Sequence, residues 1–146
     1  MILPQRPYFP IAPLAAAVAY PAEPGQFDAS RVAELISAAG LPGLASRTEE
    51  EAHWNRMLSL GEQQRLGIAR ALLYGPDFLF LDEATASLDE PSEAALYQLL
   101  DQRLPRATIV SIGHRATLAA FHRRRLAFTR AGDRHVVQEA ALAPAS

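Results

Sequence analysis

The sequence contains no cysteine, so neither a disulfide framework nor a thiolate metal site is open to it. Lysine is missing as well: all 14 of its Lys+Arg residues are arginine. A phosphate-cradling loop of the form GxxxxGKS or GxxxxGKT is therefore excluded at every position. No apolar run approaches the ~20 residues that a membrane span requires, and the N-terminus lacks a signal-peptide pattern. A formal net charge of -2 gives no reason to expect nucleic acid as the main partner. There is no internal repeat and no heptad pattern. What remains, 146 residues at 49% hydrophobic and 21% charged, suits one soluble globular unit in a cytosolic setting.

The stretch that organises the chain runs from Met57 to Asp89. Ser59-Leu60-Gly61-Glu62 has the form of a capping box, in which Ser59 accepts from an amide three residues on and Glu62 reaches back. The helix that follows places Leu66, Ala69, Leu72 and Leu73 on one face and stops at Gly75-Pro76. Next, Phe78-Leu79-Phe80-Leu81 is apolar at every position, the pattern expected of a strand buried on both faces of a parallel sheet. It delivers Asp82 and Glu83 to the strand's carboxyl end, where open α/β sheets place ligands.

LSLGEQQRLGIARALL followed by FLFLDEATASLD resembles the signature helix, Walker B strand and D-loop of an ATP-binding cassette (ABC) ATPase. Gln5, in LPQRPY, resembles the Q-loop glutamine, and His114, in VSIGHR, the switch histidine. The match runs from Leu3 to about Leu126, and five separated elements appear in order. The resemblance implies an α/β fold, the P-loop NTPase-like fold of ABC ATPases, incomplete because the Walker A part is absent. It further implies a Q-loop, helical subdomain and signature helix over 1–75, a Walker B, D-loop and switch core over 76–139, and a tail over 140–146. Trp54 and LSLGEQQR resemble the subgroup with a permease fused to the ATPase, which includes relatives of peroxisomal fatty-acyl carriers and bacterial peptide or cobalamin importers. Two positions depart from the family pattern. Leu60 stands for the first glycine of LSGGQ, and Ala12-Pro13 stands where related transporters carry Gly-Thr or Gly-Ser.

The roles implied follow residue by residue. Asp82 would hold magnesium, with Gln5 reaching the ion and the attacking water, because hard cations take oxygen ligands. Glu83 would act as general base or water-positioner, and His114 would contact the γ-phosphate. Ser59, Gly61, Glu62 and Gln63, at a capped helix start that favours phosphate, would bind the ATP held by an opposite subunit, with Asp89, at the end of the D-loop, as a further cofactor-binding residue. The partners implied are a second ABC ATPase domain packed head to tail and a transmembrane permease, at the cytoplasmic face of the membrane. His53, His122 and His135 carry no such context. Two alternatives stand beside this one. A chromosome or DNA-repair ABC ATPase would insert long coiled coils between Gln5 and Ser59, which here are 54 positions apart. A non-enzymatic truncated fragment or dimerisation module would need no P-loop.

Elsewhere the prolines at 4, 7, 10 and 13 favour extended or turning chain, with Pro13 expected to open a helix through Tyr20. Asp28 is the expected N-cap of a helix presenting Val32, Leu35, Ile36 and Ala39 and stopped by Gly40. Residues 41–46 are expected as a turn or linker, and Glu49-Glu50-Glu51 as a solvated face. Pro91 is expected to open a helix with Ala95, Leu96, Leu99 and Leu100 on its face, followed by a buried strand over 108–112. A short helix over 115–121, a solvated arginine run and a hairpin turning at Gly132-Asp133 complete the chain.

Overall fold

A computed structural model describes residues 1–141. The chain divides into two compact units, Met1–Ile112 and Gly113–Ser146.

The first unit begins with β1 (Ile2–Leu3). A two-residue strand β2 (Ala12–Pro13) leads directly into helix α1 (Leu14–Ala19). Pro13 therefore sits at the N-cap rather than inside the helix, with ψ 141 in extended conformation. Helix α2 (Ala29–Ala38) is capped by Asp28, whose carboxylate accepts from the Ser30 amide. Val32, Leu35, Ile36 and Ala39 are all buried, and Gly40 ends the helix at φ +88, where a glycine meets no Cβ penalty. Residues 41–46 hold a short helix, α3 (Pro42–Ala45), where a linker was expected, because Pro42 can occupy a first helical turn. Strand β3 (Glu51–Ala52) pairs antiparallel with β2, and α4 (Trp54–Met57) follows. Glu49, Glu50 and Glu51 are exposed as expected, and Arg47 bridges to Glu50.

Helix α5 (Leu60–Tyr74) carries both halves of the capping box and stops at Gly75 in left-handed conformation, φ 56. Strand β4 (Phe78–Asp82), helix α6 (Glu90–Arg103) and strand β5 (Thr108–Ile112) complete a strand–helix–strand unit. The three strands form one parallel sheet in the order β1-β4-β5. The buried face of α6 is Glu93, Leu96, Tyr97 and Leu100; Ala95 is exposed, one step around the helix from its expected place.

The two faces of this sheet differ, contrary to the expectation that β4 is covered on both. Leu3, Leu79 and Leu81 point into the core, with Gly67 of α5 packed against Leu3 and Pro7. The alternate residues Ile2, Phe80 and Val110 form a row across all three strands in register, and each is exposed, as are Phe78 and Ile112. Strand β5 is likewise only half covered. Asp82, two residues on from Phe80, continues that open face at its carboxyl end.

The second unit holds a 3-10 helix (Ala116–Phe121) and an antiparallel hairpin of β6 (Arg125–Ala131) and β7 (Arg134–Ala140) turning through Gly132 at φ +63. Both strands are seven residues long, and the hairpin turns where the sequence placed it. Arg123 and Arg124 are solvated, and Arg124 pairs with Glu139 across the hairpin. The tail expected over 140–146 lies outside the described residues from 142 onward.

Candidate functional site

The parallel register brings three expected residues to one end of the sheet. Leu3 lies opposite Leu81, so Gln5 leaves β1 beside Asp82 and Glu83 as they leave β4. Asp82 and Gln5 are exposed. Glu83 adopts φ 50, the left-handed region that a β-branched or long side chain enters only at a cost of order 1–3 kcal/mol. Its amide donates to the Ile112 carbonyl at 2.9 Å, so the end of β5 fixes the turn. Among the described residues no three His, Cys, Asp or Glu side chains converge as a metal cage. The donor set nevertheless fits magnesium, which is bound by one or two protein oxygens and completes its shell with water and phosphate oxygens.

Beside the turn that follows Glu83 stands the start of α5. The Ser59 amide and hydroxyl both donate to Glu62 Oε2, at 2.8 and 2.7 Å, and the Glu62 amide donates back to Ser59 Oγ at 3.3 Å. Gly61 is closely packed, and a side chain there would press on Leu88 by a few tenths of an ångström. A Cβ there would lie 3.3 Å from Leu88 and 3.6 Å from the Ser87 carbonyl, in the turn that follows Glu83. Gln63 is engaged inside the protein: its Nε2 donates to the Leu58 and Asn55 carbonyls, and its Oε1 accepts from Asn55 Nδ2. Asp89 caps α6 by accepting from the Ser92 amide at 2.9 Å. His114 belongs to the second unit, where it is exposed.

Several buried or half-buried side chains, most of which the sequence did not single out, tie these pieces together. Asn55 accepts from the Phe9 amide and donates to the Pro7 carbonyl, pinning the segment after Gln5. Arg70 donates to the carbonyls of Tyr8, Ala17 and Val18 and stacks over Phe9. Burial lowers its guanidinium to about 10, still protonated at neutral pH, and Tyr74 and Tyr20 oppose that shift. Thr85 donates to Glu93 at 2.6 Å, and Tyr97 hydrogen-bonds Ser111, joining the turn after Glu83 to α6 and β5. Burial pushes the Tyr97 hydroxyl upward. Trp54, fully buried, donates to the Ala12 carbonyl and so holds the Ala12-Pro13 departure in place. Between these elements lies an open cleft of about 380 Å³ lined by Arg6, Pro7, Tyr8, Asn55, Leu60 and Gln63.

Residues 15–86 match the family described as ABC transporter. The chain is 47% identical over 126 residues to an uncharacterised ABC transporter ATP-binding protein of Haemophilus influenzae, covering 86% of this chain and 21% of that protein. It is 38% identical over 132 residues to a lysosomal cobalamin transporter of Homo sapiens, covering 84% of this chain and 22% of the other. A solved bacterial Atm1-family ABC exporter with ATP bound superposes with a TM-score of 0.69 at 27% identity, over 81% of this chain and 22% of that one. The chain thus spans about a fifth of the length of the relatives it matches. Among the described residues no helix is long and apolar enough to cross a membrane.

Proposed function

The chain belongs to the ABC transporter family, and from that premise we propose that it supplies the hydrolytic and signature portion of an ATPase domain that drives transport across a membrane. The observation that carries this reading is Glu83, held in a strained left-handed turn at the carboxyl end of a parallel strand, directly after an exposed Asp82. Asp82 and Gln5 offer the oxygens for a magnesium ion, which when bound neutralises charge on the transferred phosphoryl group. Glu83 takes the proton of the attacking water or orients it, and His114 senses the terminal phosphate. Ser59, Gly61 and Glu62 present a helix start to the nucleotide of a second copy, and Gln63 braces that start from within. Asp89 keeps the intervening turn in place by capping α6. The cleft at Arg6 and Tyr8 is the contact point for a permease, fused or separate, which sets both substrate and direction of transport and keeps the domain at the cytoplasmic face.

Two features support an incomplete catalytic unit. Without lysine there is no P-loop, and the sheet leaves one apolar face open beside Asp82. Parallel sheets are covered on both faces, so we assign the open face to a further layer of polypeptide carrying the P-loop. Loss of a single preorganised oxyanion donor costs ~10²–10³ in rate, and a missing P-loop removes several. The absence of lysine also favours a second reading, a non-enzymatic fragment or dimerisation module.

A chimera separates the two. In it, residues of this chain replace the matching segment of the Haemophilus influenzae relative. Magnesium-dependent ATP turnover by the chimera, lowered ~10²-fold or more by Glu83→Gln, is the expected result. A chimera that folds and binds ATP but turns it over equally well with Gln at position 83 would refute the assignment.

A further inference from the structure

Gln64 is 2% exposed, yet it lies on a helix and carries a polar amide, which burial penalises unless each of its groups is matched. Its partners come from two loops, the one after β1 and the one that joins β4 to α6. Nε2 donates to the Gln5 carbonyl at 3.0 Å and, in a longer contact of 3.4 Å, to the carbonyl of Glu83. Oε1 accepts from the Ser87 amide at 3.0 Å. The loop after β1, the strained turn after β4 and the turn that packs on Gly61 therefore meet on one side chain of α5.

We propose that Gln64 is a positioning residue whose amide gears the backbones of Gln5, Glu83 and Ser87 to helix α5, so that displacing one of the two loops displaces the other. No other side chain of α5 bonds all three, and the turn at Glu83 has a left-handed strain that a neighbouring donor helps to hold. Gln63, the adjacent residue, bonds Asn55 and Leu58 instead. The consequence for catalysis rests on the function proposed above. The coupling itself does not, and it can be measured without ATP.

The test is amide hydrogen exchange by NMR on the full 146-residue chain. Gln64→Leu is expected to speed exchange at Ser87 about tenfold relative to Leu100→Ala, a core substitution that weakens the fold without touching these loops. Gln5→Gly is expected to speed Ser87 in the parent but to add nothing in the Gln64→Leu background, the signature of coupled sites. Gln64→Glu keeps an acceptor for Ser87 but loses the donor to Gln5 and Glu83. It should leave Ser87 slow and abolish the crossing from Gln5, and it carries the test if Gln64→Leu does not fold. Equal exchange at Ser87 in Gln64→Leu and Leu100→Ala, or additive effects of the Gln5 and Gln64 substitutions, would overturn the proposal. In the chimera, Gln64→Leu should lower kcat about tenfold with little change in KM for ATP; a loss confined to KM would contradict a positioning role. A chimera inactive with Gln64 intact counts against the proposed function alone, since the exchange result stands apart from it.

Discussion

On one side of the three-stranded sheet, Leu3, Leu79 and Leu81 are at most 2% exposed; on the other, Ile2, Phe78 and Ile112 are at least 59% exposed. Both sides are built from the same kinds of residue, and both belong to a parallel sheet, which buries its two faces. The difference lies in what the 146 residues themselves can place there. Helix α5 packs on the first face, and nothing within the first unit packs on the second. The candidate residues follow the same division. Gln64, Asn55 and Arg70 bind the closed side into a network of satisfied hydrogen bonds, while Asp82 stands at the end of the open side. The chain is therefore hydrogen-bonded together where it holds its own loops, and it is open on the face that we assign to a further, phosphate-binding layer.

Substitutions at equal depth in the two faces should break this comparison if it is wrong. Leu81→Ala should cost about 2–5 kcal/mol in denaturant unfolding, the range for a buried leucine, while Phe80→Ala, one residue away, should cost under about 1 kcal/mol and reduce binding of an apolar dye. Equal costs would mean that both faces are buried. In the chimera the asymmetry should vanish, with Phe80→Ala becoming as costly as Leu81→Ala.

A second substitution tests how firmly the closed side is held. Arg70→Met leaves the carbonyls of Tyr8, Ala17 and Val18 without their donor and should cost about 2–3 kcal/mol by thermal or denaturant unfolding. An unchanged midpoint would show that these bonds are not what fixes the segment after Gln5 to α5.

A smaller effect of opposite sign is expected at the junction of the two regions. Glu83→Gly relieves the positive φ and should stabilise the chain by about 1 kcal/mol, while abolishing turnover in the chimera. Destabilisation on that change would show that the Glu83 side chain, rather than function, holds the turn.

The smallest effect concerns acid. Hydrogen bonds from Ser30 hold Asp28 below the usual carboxylate range, and those from Arg47 hold Glu50 below it. Groups lowered in the folded state contribute fully above their ordinary values and lose that contribution as pH falls through the folded ones. Stability should therefore decline as pH drops below about 4, and Asp28→Asn, which still caps α2, should flatten that decline. No flattening would remove Asp28 from the account.

Much of this was legible in the sequence because local signals agreed. The capping box at Ser59, the stop at Gly75 and the Asp28 cap all rest on spacing and turn chemistry within a few residues. The open sheet face was not legible, because an all-apolar strand has the same pattern whether its second layer lies in this chain or elsewhere. The short helix at Pro42 was masked by its glycine and proline. Gln64 did carry a signal. It shares a helical stripe with Leu60, Gly67 and Ala71, and a polar residue in a buried stripe calls for partners. Those partners lie 59 and 23 positions away, at Gln5 and Ser87, where only the fold brings them into reach.

The most direct measurement is magnesium-dependent ATP hydrolysis by the purified 146-residue chain alone, compared with its Glu83→Gln variant. No turnover above background is expected for either, since a chain without lysine cannot form a P-loop of its own. Turnover by the chain alone that disappears with Glu83→Gln would contradict this expectation.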